Sequence, residues 1–303
     1  MELKPDERFA IHHGDCITHM AEMDEGSVDL AVFSPPFPAL YAYQSSLADI
    51  GNSEDLGGDA KLHLSFFYRQ LARVVKPGRV IMVHVMQIPR MKRVERRGGL
   101  HDFRGLNIRL GERAGLIYEY DWCIRKNPQA QAIRTRSREL QFVGLESDRA
   151  KSRGSLPDYL IKFVVPGDNA VPITDKVDTS GDFELLPQVS RNDWIQWAEC
   201  AWMDIRETDT LNVAEGRGEN DTKHICPLQL GVIDRLVKLY SNPGELVFSP
   251  FAGIGSELYT ALKLGRRAYG CELKDEYHAA AIRNCNRAIS SGEEANLFSF
   301  SYE

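Results

Sequence analysis

The amino-acid sequence predicts an α/β protein with a mostly parallel sheet of seven strands and helices on both faces. Short apolar runs of strand length alternate with stretches whose apolar residues recur at helical spacing, and turn residues separate them. Alternation of this kind favours a parallel sheet that is covered on both sides. The 303 residues, of which 43% are apolar, are sufficient for one full-sized core.

The predicted elements follow from their turn signals. The strand at 28–33 ends at Ser-Pro-Pro, the helix at 62–75 ends at Lys-Pro-Gly, and Asn-Pro-Gly follows the helix at 227–240. The seven predicted strands are 9–12, 28–33, 79–85, 116–124, 159–165, 245–248 and 267–271. The predicted helices are 17–23, 62–75, 103–114, 227–240, 256–264 and 277–290.

One segment, at about 166–222, interrupts this alternation. It is rich in Asp, Gly, Pro and Thr, and it contains Trp194, Trp197 and Trp202. A free linker rarely carries three tryptophans, so we expect an insertion that packs on the α/β body. We expect the three rings to lie in the core of the insertion rather than to stack on bases.

The charge is distributed unevenly along the chain. The formal total of −6 alone argues against a polyanionic partner, but residues 69–153 contain 20 Lys and Arg against 8 Asp and Glu, a local +12. This division predicts one face suited to nucleic acid, with 86–115 as a basic loop region that faces DNA; the alternative is an ordinary solvated surface. The residues expected to contact phosphates are Arg90, Lys92, Arg93, Arg96, Arg97, Arg134 and Arg136.

Several classes of protein are disfavoured by features that the sequence lacks. No apolar run approaches the ~18 residues of a membrane span, and the first residues include no apolar stretch typical of a targeting signal. The six cysteines form no CxxC pair, so we expect neither a metal site nor a disulfide framework. These features predict a cytoplasmic protein with reduced thiols. We expect His12, His13 and His84 to be structural.

A glycine-containing segment, Ser249 to Glu257 (SPFAGIGSE), lies between a predicted strand and a predicted helix. Gly253 and Gly255 permit a tight turn that lets a ligand approach the backbone, and the next strand ends at Glu272, where a carboxylate can accept hydrogen bonds from a ribose diol. The pattern is typical of a site for an adenosine-containing ligand, and an ordinary strand–turn–helix fits it equally well. Leu258 replaces the third glycine of the dinucleotide fingerprint, which counts against a nicotinamide dehydrogenase.

A second motif, Ser34-Pro35-Pro36-Phe37, directly follows the strand at 28–33. The prolines fix the backbone and leave rigid carbonyl acceptors at the carboxyl end of a strand, where open α/β sheets bind ligands. Acceptors beside an aromatic ring suit a planar base with an exocyclic amine. Taken alone, Ser-Pro-Pro is more often only a turn.

Together, SPPF and SPFAGIGS resemble the catalytic and cofactor motifs of S-adenosylmethionine-dependent DNA amino-methyltransferases. The early catalytic motif and the late cofactor loop are similar to the permuted β group of that family, and the resemblance covers positions 14 to about 285. It implies a Rossmann-like methyltransferase fold in a single catalytic domain of 1–303, with 166–222 as an inserted target-recognition segment. It also implies DNA as the partner, no metal, a bacterial or phage-encoded protein, and the capacity to form a homodimer.

The resemblance assigns cofactor contacts by matched position. An early Gly-Asp that binds the cofactor's adenine in the family matches Gly14-Asp15, and the stretch that begins at His224 resembles the motif before the cofactor loop. The family usually has Asp where this chain has Ser249, which implies weaker cofactor binding or greater reliance on Asp15 and Glu272. The implied cofactor-binding residues are Asp15, His224, Ser249, Phe251, Gly253, Gly255, Ser256 and Glu272.

The resemblance also implies the chemistry of Ser34, Pro35, Pro36 and Phe37. The Ser34 side chain and the Pro35 carbonyl would accept hydrogen bonds from the two N–H groups of the target amine and so free its lone pair. Phe37 would stack on the flipped base. SPPF is commoner among enzymes that methylate cytosine N4, so cytosine is favoured over adenine N6. Two further interpretations are an RNA or protein-amide substrate, for which Asn would be expected at position 34, and a DNA-binding module with a decayed site.

The segment expected to recognise the target is acidic, with 13 Asp and Glu against 4 Lys and Arg over 166–222. Such a segment makes few phosphate contacts. We therefore expect a short or loosely defined recognition sequence, with the affinity for the DNA backbone supplied by residues 69–153.

Overall fold

The computed structural model describes residues 7–37, 58–90, 98–135, 142–174, 188–212 and 227–299. The strands are β1 (Phe9–His13), β2 (Val28–Phe33), β3 (Val75–Met86), β4 (Ile88–Pro89), β5 (Leu100–His101), β6 (Ile117–Ile124), β7 (Asp158–Val164), β8 (Ala201–Trp202), β9 (Leu246–Ser249) and β10 (Arg267–Glu272). The helices are α1 (Cys16–Glu22), α2 (Asp59–Val74), α3 (Phe103–Arg113), α4 (Pro128–Thr135), α5 (Phe142–Ser147), α6 (Arg191–Trp197), α7 (Leu230–Tyr240), α8 (Ser256–Lys263) and α9 (Asp275–Ser299).

Eight of the described strands form one sheet in the order β1-β10-β9-β2-β3-β7-β6-β8. The first five strands in this order, β1, β10, β9, β2 and β3, are parallel to one another. β7 runs antiparallel to its neighbours β3 and β6. The predicted fold class, a mostly parallel sheet with helices on both faces, is confirmed. The predicted number of seven strands is wrong, because Ala201–Trp202 pairs in parallel with the end of β6. A strand of two residues has no periodicity that a sequence can reveal.

Each face of the sheet is covered by its own apolar cluster. Ala31 and Phe33 of β2 pack with α1, α2 and α3 on one face, and Leu30 and Val32 pack with α7 and α8 on the other. Successive side chains of a strand point to opposite faces, so every residue of β2 is buried. This double burial explains why β2 reads as a nearly continuous apolar run rather than an alternating one.

The charged residue of β2, Asp29, ties together the amino ends of three neighbouring strands. Its side chain accepts a hydrogen bond of 2.5 Å from Lys76 Nζ and one of 2.8 Å from the backbone N–H of Leu246. Arg79, only 2% exposed, donates to the Asp29 carbonyl and pairs with Glu245. Lys76-Pro77-Gly78 ends the preceding helix as predicted, but it lies inside β3, which therefore begins earlier than expected.

The described part of the insertion is fixed to the edge of the sheet. The carbonyl of Trp197 accepts hydrogen bonds from the indole N–H groups of Trp122 and Trp202, at 3.2 and 3.0 Å. Trp197 and Trp202 are 8% and 2% exposed, as expected for core residues, whereas Trp194 is 63% exposed. The expectation of a buried Trp194 is wrong because only the carboxyl-terminal end of α6 joins the apolar cluster.

Three further observations bear on the classes of protein considered above. None of the helices in the described ranges is long and apolar enough to cross a membrane. The cysteines that the structure describes are free thiols, and no group of three or more His, Cys, Asp or Glu in the same residues could hold a metal ion. The cytoplasmic location and the homodimer stay predictions.

Candidate active site

The two sequence motifs meet at the carboxyl ends of β2 and β9. These strands are parallel neighbours with Ala31 opposite Phe248. Ser34 and Ser249 therefore lie at the same end of the two strands, although more than 200 residues separate them in the chain. From β9 the chain continues to β10 on one side, and from β2 it continues to β3 on the other. Such a reversal of strand order opens a crevice in which open α/β sheets bind ligands.

The loop after β9 has the backbone that its glycines permit. Gly253 and Gly255 have φ angles of +53° and +87°, in the left-handed region that favours glycine. A Cβ atom at Gly255 would lie 3.1 Å from Ala281 of α9, so the loop and this helix pack closely. Ser249 Oγ and Ser256 Oγ are buried and have no hydrogen-bond partner among the described residues. Unpaired buried hydroxyls are uncommon, and these two lie at positions where the resemblance implies cofactor contacts.

Glu272 connects this loop to the ends of two strands. Its Oε2 accepts a hydrogen bond of 2.7 Å from the backbone N–H of Gly253, and its Oε1 accepts one of 2.9 Å from the backbone N–H of Lys274. The carbonyl of Glu272 accepts from the N–H of Gly14, at 2.9 Å. These backbone bonds orient the Glu272 carboxylate at the carboxyl end of β10.

Asp15 lies at the same edge, directly after β1. Its Oδ2 accepts hydrogen bonds from the backbone N–H and the hydroxyl of Thr18, at 2.9 and 2.7 Å, and so caps the amino end of α1. β1 pairs with β10 with His13 opposite Glu272, which places Asp15 and Glu272 at adjacent strand ends. The structure thus brings together the carboxylates of two motifs that lie at opposite ends of the chain.

Burial favours the neutral form of three ionisable side chains near this end of the sheet. Burial raises the pKa of Glu257, in the first turn of α8, to about 8. Burial also lowers the pKa of His12 and His19, whose rings stack at 3.8 Å, and His19 Nε2 lies 2.5 Å from the Tyr269 hydroxyl. Phe251, another implied cofactor contact, packs its ring against Phe67 at 4.9 Å.

The catalytic motif is described as far as Phe37. Pro35 is buried, Pro36 and Phe37 are half-buried, and the Phe37 ring lies 5.5 Å from that of Phe103. One face of the motif is therefore supported by the apolar cluster that packs on α3.

Ser34 is the first member of a chain of polar contacts that the sequence analysis missed. Ser34 Oγ lies 2.8 Å from His84 Nδ1, and His84 Nε2 lies 2.9 Å from Asp158 Oδ2. Lys126 Nζ lies 2.5 Å from the same Asp158 oxygen. Burial raises the pKa of Asp158, but His84 and Lys126 together lower it by more, so it lies below its ordinary value. The expectation that His84 is structural stays a prediction, but its contact with Ser34 was not anticipated; a polar residue at the carboxyl end of a buried strand was the signal that could have identified it.

The residues expected to bind DNA are only partly described. Arg90 donates from its backbone N–H to the Gly99 carbonyl and from Nε to the Leu100 carbonyl, at 3.0 and 3.2 Å, and so supports the β4–β5 pair. Arg134 belongs to α4, whose last side chains are not described. Lys92, Arg93, Arg96, Arg97, Arg136 and the implied cofactor contact His224 lie outside the described residues.

At least five of the basic residues that the structure describes in 69–153 contact groups of the protein itself. Arg73 donates to the carbonyl oxygens of Met20 and Met23. The other four pair with carboxylates, Lys76 with Asp29, Arg79 with Glu245, Arg104 with Asp121 and Lys126 with Asp158. Asp29, Glu245 and Asp158 lie outside 69–153, so these three pairs leave less positive charge for a partner than the local sum of +12 indicates.

The sequence matches the family model described as DNA methylase over residues 28–283, more than four fifths of the chain. The chain belongs to the DNA methylase family. The resemblance to DNA amino-methyltransferases is thereby confirmed, and the paired motifs at β2 and β9 belong to a DNA methylase.

Several curated proteins share stretches of this DNA methylase. Type II methyltransferase M1.MboII from Moraxella bovis is 41% identical over 54 residues, which are 18% of this chain and 21% of that protein. Putative methylase YubD from Escherichia coli K12 is 44% identical over 60 residues, which are 19% of this chain and 26% of that protein. The matched stretches thus span about a quarter or less of the length of these relatives.

Solved structures share the fold over nearly the whole chain. TTHA0409 from Thermus thermophilus, a putative DNA modification methylase complexed with S-adenosyl-L-methionine, matches with a TM-score of 0.66 and 21% identity over 93% of this chain and 96% of that one. PvuII DNA methyltransferase (cytosine-N4-specific) matches with a TM-score of 0.63 and 16% identity over 94% of this chain and 93% of that one. These similarities support the fold described above.

Proposed function

We propose that this DNA methylase transfers a methyl group from S-adenosylmethionine to the exocyclic amine of a DNA base, with the 4-amino group of cytosine favoured. The observation that carries the proposal is the position of Ser34, which leaves β2 beside the glycine loop that follows β9. Membership of the DNA methylase family supports the same reaction.

The residues at the carboxyl ends of β1, β9 and β10 fit S-adenosylmethionine. Glu272 has acceptor capacity for the ribose hydroxyls, and Asp15 at the adjacent strand end supplies an acceptor for the adenine amine. The unpaired hydroxyls of Ser249 and Ser256 replace the carboxylate that the family usually has, and Gly253 and Gly255 let the backbone approach the ligand. The bound cofactor supplies a methyl group activated by a sulfonium.

The chemistry assigned to SPPF follows from the weak nucleophilicity of a ring-conjugated amine. The Ser34 hydroxyl oxygen and the Pro35 carbonyl accept hydrogen bonds from the two N–H groups of the target amine. These bonds make the amine nitrogen more tetrahedral and free its lone pair. Pro36 fixes the backbone, and Phe37 stacks on a base that has left the duplex. The contribution of these residues is positioning and fixed dipoles, and the proton of the methylated amine leaves to solvent.

The choice of cytosine depends on Ser at position 34, which is commoner among cytosine N4 enzymes of this family. The 6-amino group of adenine has the same two N–H donors, so adenine is the alternative substrate for the same site.

The deciding experiment incubates the full chain with labelled S-adenosylmethionine and unmodified DNA, followed by digestion to nucleosides. We expect labelled N4-methylcytosine. Labelled N6-methyladenine would contradict the choice of base and leave the transfer to DNA intact. Label in RNA alone would contradict the substrate class, and DNA binding without transfer would favour a decayed module. Ser34→Ala and Pro36→Ala should abolish transfer and retain DNA binding; activity retained in both variants would contradict the site.

Phosphate contacts are assigned to the basic segment of the sequence that contains Arg93, Arg96 and Arg97. Replacing all three by alanine should weaken DNA binding and reduce the slope of log K against log salt by about 0.9 for each lost contact. Cofactor affinity should stay unchanged. Arg191→Ala, in the acidic insertion, is the matched control and should leave DNA affinity unchanged. An unchanged salt slope in the triple variant would contradict the assignment.

The recognition sequence is proposed to be short or loosely defined, because the segment assigned to target recognition is acidic. Mapping the methylated positions in a genome that expresses this protein tests the proposal. A long, strictly defined site would contradict it.

A further inference from the structure

We propose that His84 is a positioning residue that holds the Ser34 hydroxyl with its oxygen available to the target amine. The inference rests on the proposed function, since it concerns the same amine. It extends that function by assigning His84, Asp158 and Lys126 to the catalytic site.

Ser34, His84, Asp158 and Lys126 lie at or beside the ends of four neighbouring strands, on the same side of the sheet. Ser34 follows β2, His84 lies near the end of β3, Asp158 begins β7 and Lys126 follows β6, and these strands are adjacent in that order. The consecutive contacts measure 2.8, 2.9 and 2.5 Å. The Asp158 side chain is 7% exposed, and those of His84 and Lys126 are 12% and 11% exposed. Water therefore has little access to compete with these contacts.

The carboxylate at the far end determines which nitrogen of His84 carries hydrogen. Asp158 is ionised because its pKa lies below the ordinary value, so it can only accept. His84 Nε2 then carries the hydrogen and donates it to Asp158. In a neutral imidazole, Nδ1 is then an acceptor, so Ser34 Oγ–H donates to His84 Nδ1. The lone pairs of Ser34 Oγ remain available to accept a hydrogen bond from an N–H group of the target amine.

Lys126 favours a neutral His84 over one that takes up the amine's proton. In a Ser-His-Asp triad, an imidazolium is stabilised by a carboxylate that has no other cation. Here Lys126 already balances Asp158, and an imidazolium would place a second cation on one buried carboxylate. His84 therefore acts as a fixed hydrogen-bond acceptor, and the proton of the amine goes to solvent.

Protonation of His84 would reverse the polarity of its contact with Ser34. Nδ1–H would donate to Ser34 Oγ and turn the serine hydrogen towards the amine, where two donors would face each other. Within the described residues, His84 contacts the charged side chain of Asp158 from β7, and Asp158 in turn contacts Lys126 from the segment after β6.

The first test compares His84→Ala with His84→Asn. Asn Oδ1 is separated from Cα by the same number of bonds as His Nδ1, so it can accept from Ser34 but cannot titrate. We expect kcat to fall on the order of 10- to 100-fold in His84→Ala and to recover to within a few-fold of wild type in His84→Asn. The Kd for S-adenosylmethionine should stay unchanged in both, and the thermal midpoint should fall similarly in both because each loses the contact with Asp158.

The outcomes distinguish a failure of the role of His84 from a failure of the proposed methyl transfer. A wild-type protein without methyl transfer would overturn both. An active wild type with an equally active His84→Ala, or an equal loss in the alanine and asparagine variants, would overturn only the role of His84.

A further measurement detects what a purely structural role would leave unchanged. In the free protein labelled with 15N-histidine, the His84 signals, assigned by their loss in His84→Asn, should show hydrogen on Nε2 and none on Nδ1. The opposite tautomer would overturn the proposed direction of the Ser34 hydrogen bond.

Discussion

The backbone N–H of Gly253 donates a hydrogen bond of 2.7 Å to Glu272 Oε2, which joins the turn of the glycine loop to the residue assigned to the ribose. The same carboxylate accepts from the N–H of Lys274 through its other oxygen. One side chain therefore orients the loop, and the proposed function gives the same side chain the role of accepting from the cofactor. Loop geometry and cofactor affinity should consequently change together.

Glu272→Gln tests this coupling. An amide has only one acceptor atom, so it cannot satisfy the N–H groups of both Gly253 and Lys274, and its NH2 group must face one of them. We expect the Kd for S-adenosylmethionine, measured by calorimetry, to rise about tenfold or more. The matched control, Glu276→Gln, changes an exposed residue of α9 and should leave the Kd unchanged. Equal Kd values for both variants would contradict the role of Glu272.

Glu257 should make the protein less stable at alkaline pH. Its folded-state pKa is raised by burial from 4.5 to about 8, so its stabilising contribution is present below pH 4.5 and is lost as the pH rises through about 8. Each pKa unit corresponds to about 1.4 kcal/mol, so the loss is on the order of a few kcal/mol. Glu257→Gln should flatten the dependence of unfolding free energy on pH between 5 and 9 (about the span of the two pKa values), as measured by urea denaturation. The control Glu25→Gln, at an exposed turn, should keep the wild-type slope.

The two glycines of the cofactor loop should differ in their tolerance of alanine. Both have positive φ, which costs about 1–2 kcal/mol for a residue with a Cβ. A Cβ at Gly253 would have no atom within 4 Å, whereas one at Gly255 would meet the backbone of Ala281 at 3.1 Å. Gly255→Ala should therefore lower the free energy of unfolding by a further ~1–3 kcal/mol compared with Gly253→Ala. Equal losses in chemical denaturation would show that α9 moves aside without cost.

The tryptophans of the insertion should also separate into two kinds. Trp202→Ala removes a ring that is 2% exposed and donates to the Trp197 carbonyl, so it should cost about 3–5 kcal/mol of stability. Trp194→Ala removes a ring that is 63% exposed and should change stability by about 0.5 kcal/mol or less. Thermal and urea unfolding measure both. A large loss for Trp194→Ala would contradict the exposure of this ring.

The sheet could be predicted because its strands are marked locally. The apolar run of β2 ends at Ser-Pro-Pro, and the Asn-Pro-Gly turn marks the boundary between α7 and β9. Both signals depend on neighbouring residues alone. The membership of β8 could not be predicted, because its two residues join the sheet through the distant Cys123 and Ile124.

The candidate site was predictable where short motifs define it. Ser34 and Glu272 belong to contiguous patterns with a known backbone requirement, so their neighbourhood could be inferred from the order of strands. His84, Asp158 and Lys126 belong to no such pattern. Their contacts depend on the register of β3 with β7 and of β7 with β6, which only the tertiary structure shows.

The pairing of β1 with β10 has a consequence for biosynthesis. β1 lies between residues 9 and 13, and its described partner occupies residues 267 to 272. At about 5–20 residues per second, roughly ten seconds to a minute passes between the synthesis of the two strands. During that time the apolar strand β1 and the neighbouring Asp15 lack the partner that places them in the sheet. The strand end at which we propose that the adenine binds is therefore completed only after residue 272 has been synthesised, and until then the unpaired strand β1 is open to pairing with other chains.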